Sequence, residues 1–240
     1  MTYTSTLLNL KSHRPFQLPK PSWKYYQEWH ATYFLHYKIP QEFLWELLPQ
    51  GLLLDTYQGQ AWASVVGFTV KNLRMKYLPP LPYLSDFQEV NLRTYVIKDG
   101  VPGIYFITIE ASKILSALMA RKLVGLKYNN AKIKRKHNRC VLTRSEEGNL
   151  LNLKYLPLQN ISDKSDLDKW LTERYCAYEA INKKLYRFNI HHKAWSLKKM
   201  KLRKVELNFV QGNLWINNVQ PDLQHYSAEQ RVLLWGRERC

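Results

Sequence analysis

Phe87-Gln88-Glu89-Val90-Asn91-Leu92-Arg93-Thr94-Tyr95-Val96 is the stretch on which the fold turns. Its even positions are mostly apolar (Val90, Leu92, Val96), while the odd ones carry Glu89, Asn91, Arg93 and Tyr95. A period of two among β-branched and aromatic residues marks a strand. The strand runs to Lys98, and Lys98-Asp99-Gly100-Val101-Pro102 leads into a second apolar run, Gly103 to Glu110. Asp-Gly between two such runs predicts a β-hairpin. Two readings of the odd face stay open. It meets solvent, as on an ordinary half-buried strand, or it lines a barrel interior where a few polar groups orient a ligand. Glu89 and Arg93 lie about 13 Å apart along an extended strand, so each needs a partner other than its neighbour, or a ligand.

Outward from this hairpin the chain reads as strands again. Residues 1–22, with Pro15, Pro19 and Pro21, read as an irregular arm, and residues 23–240 as one domain. Glu28 to Ile39 is aromatic and β-branched; Pro40 opens a short helix, Gln41 to Leu48, closed by Pro49 and Gly51. Leu52 to Tyr77 suggests two strands around Tyr57-Gln58-Gly59-Gln60. After the hairpin, Ala111, Ile114, Leu115, Leu118 and Met119 fall on one face of a helix that Gly125 ends. Polar strands follow, with a turn at Glu146-Glu147-Gly148-Asn149, then a helix from Asp163 to Arg174 capped by Ser162 or Asp163. The remainder, Cys176 to Leu207 and Phe209 to Trp235, reads as strands. Many short strands with two or three helices predict a mainly β fold, a closed or nearly closed antiparallel barrel.

A chain of 240 residues that is 45% hydrophobic can bury a sizeable core, which excludes disorder. Thirty-six Lys and Arg against 19 Asp and Glu give +17, a field that favours anionic partners or serves solubility alone. Cys140, Cys176 and Cys240 lack C-x-x-C spacing, against a disulfide framework or structural zinc and for a reducing compartment. The polar N-terminus has no apolar signal region, and Ile114 to Leu126, broken by Arg121 and Lys122, is too short to span a bilayer. The expectation is a cytoplasmic protein.

The sequence contains no G-x-G-x-x-G, P-loop, G-x-S-x-G or H-E-x-x-H. Adjacent His191 and His192 point to opposite faces of a strand, and His30 and His36 lie about 20 Å apart, so no metal is expected, nor any cofactor. Residues 113–139 hold nine Lys or Arg and no acid, and 193–204 hold six more. Gathered on one face, they would make a footprint for nucleic acid or phosphate. Lys132, Lys134 and Lys136 alternate with Ile133, Arg135 and His137, which reads as a strand basic on both faces, and no nucleic-acid-binding motif accompanies it.

Six segments in consistent order resemble the YqjF-like family of uncharacterised proteins, within the acetoacetate-decarboxylase-like superfamily. They are Tyr33 to Tyr37, Leu47 to Leu52, Phe87 to Tyr95, Ala120 to Tyr128, Leu171 to Tyr175 and His192 to Leu197. The resemblance implies a cone-shaped antiparallel barrel with a central cavity and a few flanking helices. Decarboxylases of that superfamily form a Schiff base through a lysine whose pKa a neighbouring lysine lowers. The matching positions here are Tyr128 and Asn129, and a phenol cannot form an imine. Lys127 is one residue away and points to the opposite face of a strand, so it serves only if the alignment slips by one. The superfamily's cavity carboxylate matches Glu89, and its cavity arginine falls at Ala31 and is missing, with Arg93 the nearest polar substitute. The resemblance thus implies a cavity carrying Glu89, Arg93, Tyr95, Tyr128 and Asn129. Glu89 would be an acceptor or general base and Arg93 an anchor for a carboxylate; Tyr128 and Asn129 would donate to a carbonyl. The expected partner is a small molecule bearing a carboxylate or carbonyl, with nucleic acid as the second reading.

Overall fold

The computed structural model describes residues 3–113, 128–143 and 145–240. Fourteen strands are present among the described residues: β1 (Tyr25–Ile39), β2 (Leu53–Leu54), β3 (Ala61–Met75), β4 (Phe87–Lys98), β5 (Val101–Ala111), β6 (Tyr128–Asn130) and β7 (Lys132–Lys136), then β8 (Arg139–Thr143), β9 (Leu150–Asn160), β10 (Cys176–Ile181), β11 (Lys184–His191), β12 (Lys198–Gln211), β13 (Leu214–Asn217) and β14 (Leu223–Arg239). The helices among the described residues are α1 (Tyr3–Asn9), α2 (Gln41–Trp45) and α3 (Asp166–Thr172).

Seven strands close a barrel in the order β1-β3-β4-β5-β10-β11-β14, with β14 returning to β1. All neighbours are antiparallel except β5 and β10, which run parallel at Ile104 and Tyr105. The antiparallel expectation therefore misses one seam. The β4–β5 turn is tighter than the sequence suggested. Asp99 (φ 49°) and Gly100 (φ 74°) alone form it, both in the left-handed region that a two-residue hairpin demands.

A second sheet, β14-β12-β9-β8-β7, branches from the barrel wall. Its apolar face packs on the outside of β1, β3 and β4, joining Tyr33, Val65, Val90 and Leu92 to Cys140, Leu142, Leu153 and Phe209. Strand β4 is thus covered on both sides: its even face by this second sheet, its odd face by the barrel interior.

One irregularity sets the inner surface of β1. His30 pairs with Thr69 and Tyr33 with Gly67, so β1 carries one residue more than β3 over this span. Ala31, at φ 51°, is that residue. Because facing alternates along a strand, the bulge lets Trp29 on one side and Thr32 and Phe34 on the other all point inward.

Three expectations are corrected. The first 22 residues are not wholly irregular: α1 buries Leu7 against Tyr26, Leu233 and Trp235. Helix α2 stops at Trp45 rather than Leu48. Helix α3 is capped by Ser165, not Ser162 or Asp163, because Ser165 and Asp168 form a reciprocal capping box. Of the helix expected from Ala111 to Gly125, Ala111 belongs to β5 and residues 112–113 are not helical, while residues 114–125 lie outside the described residues, as does Lys127. Among the described residues no helix is long and apolar enough to cross a membrane.

Candidate ligand-binding site

The barrel interior holds a cavity of about 60 Å³. That is room for a few waters or a small organic molecule. Most of its wall is apolar, with Phe34, Val66, Phe68, Phe106, Phe188 and Trp195 contributing. Against this wall stand Trp29, Thr32, Glu89, Asn91, Arg93, Tyr128, Arg174 and His192.

Glu89 is buried and accepts hydrogen bonds from Asn91 Nδ2 (2.9 Å) and the Tyr128 hydroxyl (3.1 Å). Burial pushes its carboxyl up to about 7; the two hydrogen bonds and the charge of Arg93 oppose that shift without cancelling it. Burial first, and the Glu89 charge second, hold the Tyr128 phenol well above its ordinary range, so it remains a donor. His192 is lowered to about 4, chiefly by burial, and is a neutral imidazole at pH 7.

Arg93 lies 5.6 Å from the Phe34 ring centre, and its Nη2 reaches the Leu171 carbonyl at 3.5 Å. Burial lowers its pKa from the ordinary arginine value. Arg174 is held by an ion pair to Asp55 (2.5 Å), by a hydrogen bond from its Nε to the Trp170 carbonyl (2.7 Å) and by the Trp170 ring. Five buried polar atoms of cavity-lining residues have no partner among the described residues: Trp29 Nε1, Thr32 Oγ1, Asn91 Oδ1, Arg93 Nε and Arg174 Nη2. Each such atom costs about 1–3 kcal/mol unless something in the cavity satisfies it. Three of the five only donate, so the site lacks acceptors.

Of the residues the sequence nominated, Glu89, Arg93 and Tyr128 come together in this cavity. Tyr95 is fully buried on the same face of β4 but sits beyond the cavity lining, bonded to Ser64. Asn129 faces away from Tyr128, and its amide reaches Glu147 at 3.4 Å. No lysine among the described residues lines the cavity. Arg174, His192, Trp29 and Thr32 were not nominated. Arg174 and His192 lie in two of the six segments that carried the resemblance, but nothing in their local pattern distinguishes inward from outward. Thr32 and Trp29 share the interior only because of the Ala31 bulge.

Outside the barrel, parts of the two basic runs meet. Lys136, Arg139, Lys154 and Lys204 are successive cross-strand partners on β7, β8, β9 and β12, all exposed. Strand β7 is not basic on both faces, as the alternation had suggested. Arg135 turns inward, donating to the carbonyl of the bulged Ala31 and to the Tyr155 hydroxyl (3.1 Å) beneath the second sheet. On the outer barrel wall, Glu28, His30 and Glu229 bring ligand atoms within 4.8 Å of one another. His30 Nε2 lies 3.1 Å from Glu28 Oε2, and Arg231 pairs with Glu229 at 3.1 Å.

Residues 26–231 match the family described as DUF2071, uncharacterized conserved protein. The chain is 36% identical over 226 residues to the uncharacterized protein YqjF of Bacillus subtilis (strain 168), covering 91% of this chain and 93% of that one. Among solved structures it is similar in fold to the enduracididine biosynthesis enzyme MppR complexed with pyruvate, at a TM-score of 0.60 and 10% identity over 94% of this chain and 92% of that one. An acetoacetate decarboxylase-like enzyme from Sphingomonas wittichii RW1 gives a TM-score of 0.60 and 14% identity, with 95% and 98% covered. The acetoacetate decarboxylase of Legionella pneumophila gives 0.58 and 14%, with 98% and 95% covered. At these identities the likeness is one of fold: an acetoacetate-decarboxylase-like barrel.

Proposed function

We propose that this chain, which belongs to the DUF2071 family of uncharacterized conserved proteins, binds a small carboxylate bearing a carbonyl or hydroxyl group in its barrel cavity, and does so without imine chemistry. The observation that carries this reading is the pair of buried donors Arg93 Nε and Arg174 Nη2, without partners among the described residues, lining one cavity beside Glu89. Asp55 already balances Arg174, which leaves Arg93 as the cation that a ligand carboxylate would complete. The aromatic wall would take the ligand's carbon skeleton.

Glu89, with its carboxyl near 7, is suited to taking a proton from a ligand carbon or hydroxyl and returning it. Tyr128 would donate to Glu89 or to the ligand oxygen. A relative of the same fold in complex with pyruvate supports this ligand class. The test is mass spectrometry of the protein with pyruvate, native and then after borohydride. The reading expects a saturable, non-covalent complex and no reduced adduct. A stable adduct, on Lys127 for example, would replace it with a Schiff-base enzyme; no complex with pyruvate or its short-chain homologues would reject it.

The exposed row Lys136, Arg139, Lys154 and Lys204 favours a second reading, a surface for nucleic acid or phosphate. At about 4.8 Å between strands, four cations span about 14 Å of sheet. Glu206, 2.7 Å from Lys204, is the acid that interrupts it. Oligonucleotide binding at low salt that falls steeply as salt rises would support this reading. Absence of binding at low salt would remove it.

A further inference from the structure

Strand β4 presents Glu89, Asn91 and Arg93 to the cavity in sequence order. Its register against β3 runs unbroken over this span, with Glu89 opposite Phe68 and Asn91 opposite Val66, both cavity-lining themselves. An unbroken register keeps the three on one face, about 6.7 Å from each to the next.

The amide of Asn91 has a fixed orientation. Its Nδ2 donates to Glu89 Oε1 at 2.9 Å, and the Tyr128 hydroxyl donates to Glu89 Oε2 at 3.1 Å, so each carboxylate oxygen already accepts from the protein. Turning the amide over would set Asn91 Oδ1 against an ionised carboxylate, two acceptors face to face. Asn91 Oδ1 is thereby left in the cavity wall, buried and without a partner among the described residues. Of the five such atoms it alone only accepts. Trp29 Nε1, Arg93 Nε and Arg174 Nη2 only donate, and the Thr32 hydroxyl does either. A 2-keto acid offers acceptors alone: it answers the three donors and leaves Asn91 Oδ1 unsatisfied. A 2-hydroxy acid carries the missing O–H on the carbon next to its carboxylate.

We infer that the cavity takes a short-chain 2-hydroxycarboxylate in preference to the 2-keto acid of the same skeleton, and that Asn91 selects it by accepting a hydrogen bond from the ligand's hydroxyl. The ligand carboxylate sits at Arg93 and the hydroxyl at Asn91, the next residue along the same face. The cavity of about 60 Å³ sets the short chain. The inference rests on the reading of Arg93 as the carboxylate anchor and narrows the ligand class within it.

The experiment is isothermal titration calorimetry at pH 8, where Glu89 is mostly ionised. The ligands are the two lactate enantiomers, pyruvate, and 2-fluoropropanoate of matching configuration, whose fluorine fills the hydroxyl's place without donating. The proteins are wild type, Asn91→Leu and Arg93→Ala. The inference expects the better lactate to bind wild type about tenfold tighter than pyruvate or 2-fluoropropanoate, as leaving one buried acceptor unsatisfied costs. It expects this preference to vanish in Asn91→Leu, which keeps the side-chain volume and removes the acceptor, while Arg93→Ala weakens every ligand alike. Pyruvate or 2-fluoropropanoate binding wild type as tightly as lactate overturns the inference while the site reading stands. So does a lactate preference that survives in Asn91→Leu, which would move the selection to Thr32 or Glu89. Should Asn91→Leu fail to fold, the lactate-to-fluoropropanoate ratio on wild type decides alone. If none of these acids binds wild type, the site reading falls and the inference with it.

Discussion

Glu89→Gln should stabilise the protein, and by an amount that depends on pH. Glu89 is 4% exposed, and its carboxyl is raised in the folded protein from 4.5 to about 7, with burial as the main cause. Between those values the folded state holds a proton that the unfolded state has released, so stability falls as pH rises through this window. Each pKa unit is worth about 1.36 kcal/mol, so 2.5 units make the cost of ionising Glu89 about 3 kcal/mol once pH exceeds 7. An amide carries no such cost. Gln can still accept from Asn91 with its oxygen and donate to the Tyr128 oxygen with its nitrogen, so the local bonds survive. The variant should match wild type near pH 4.5 and exceed it by up to about 3 kcal/mol at pH 8. Urea unfolding of both proteins at half-unit steps from pH 4.5 to 8.5 measures the difference. A difference that stays flat with pH, or that grows as pH falls, would refute the claim that burial governs this carboxyl.

Tyr128→Phe removes a hydrogen bond that favours ionised Glu89, so the carboxyl should titrate about one unit higher, readable by carbon-13 NMR of the Glu side chains. Asp55→Asn takes away the ion-pair partner of Arg174, whose side chain is 3% exposed, and should cost about 2 kcal/mol in urea unfolding, less than a fully buried pair because Asp55 itself is 18% exposed. Gly67→Ala places a β-carbon where the Tyr33 phenol packs beneath the second sheet and should cost about 3 kcal/mol, read as a lowered unfolding midpoint. Charge reversal at Lys136 and Lys154 together should leave pyruvate binding unchanged, because both side chains are exposed on the far sheet; any loss would tie that surface to the cavity.

Strand β4 was legible because its period of two and its Asp-Gly turn are local signals. The destination of its odd face was not. A polar face reads the same whether it meets solvent or a cavity, and here a second sheet, built mainly from β7, β8, β9 and β12, covers the even face and leaves the odd one inside. The Ala31 bulge carries no glycine to announce it, so the switch that brings Trp29 and Thr32 into one cavity was invisible. Helix α1 was missed for a similar reason: Leu7 is buried by Leu233 and Trp235, more than 220 residues away. The Ser165 cap, by contrast, stood in the sequence as Ser165-Asp166-Leu167-Asp168, overshadowed by two earlier candidates. The resemblance brought Glu89 and Tyr128 to one place, where the structure bonds them to each other. Arg174 and His192 come from β-strand ends on the opposite wall, and only closure of the barrel gathers them.

A crystal soaked in pyruvate tests the central claim most directly. The account predicts density in the barrel cavity with a carboxylate within hydrogen-bonding distance of Arg93 Nε and Arg174 Nη2, Glu89 beside the carbonyl end, and no covalent link to any lysine. Pyruvate bound only on the exposed basic row, or continuous density from the ligand to a lysine, would contradict it.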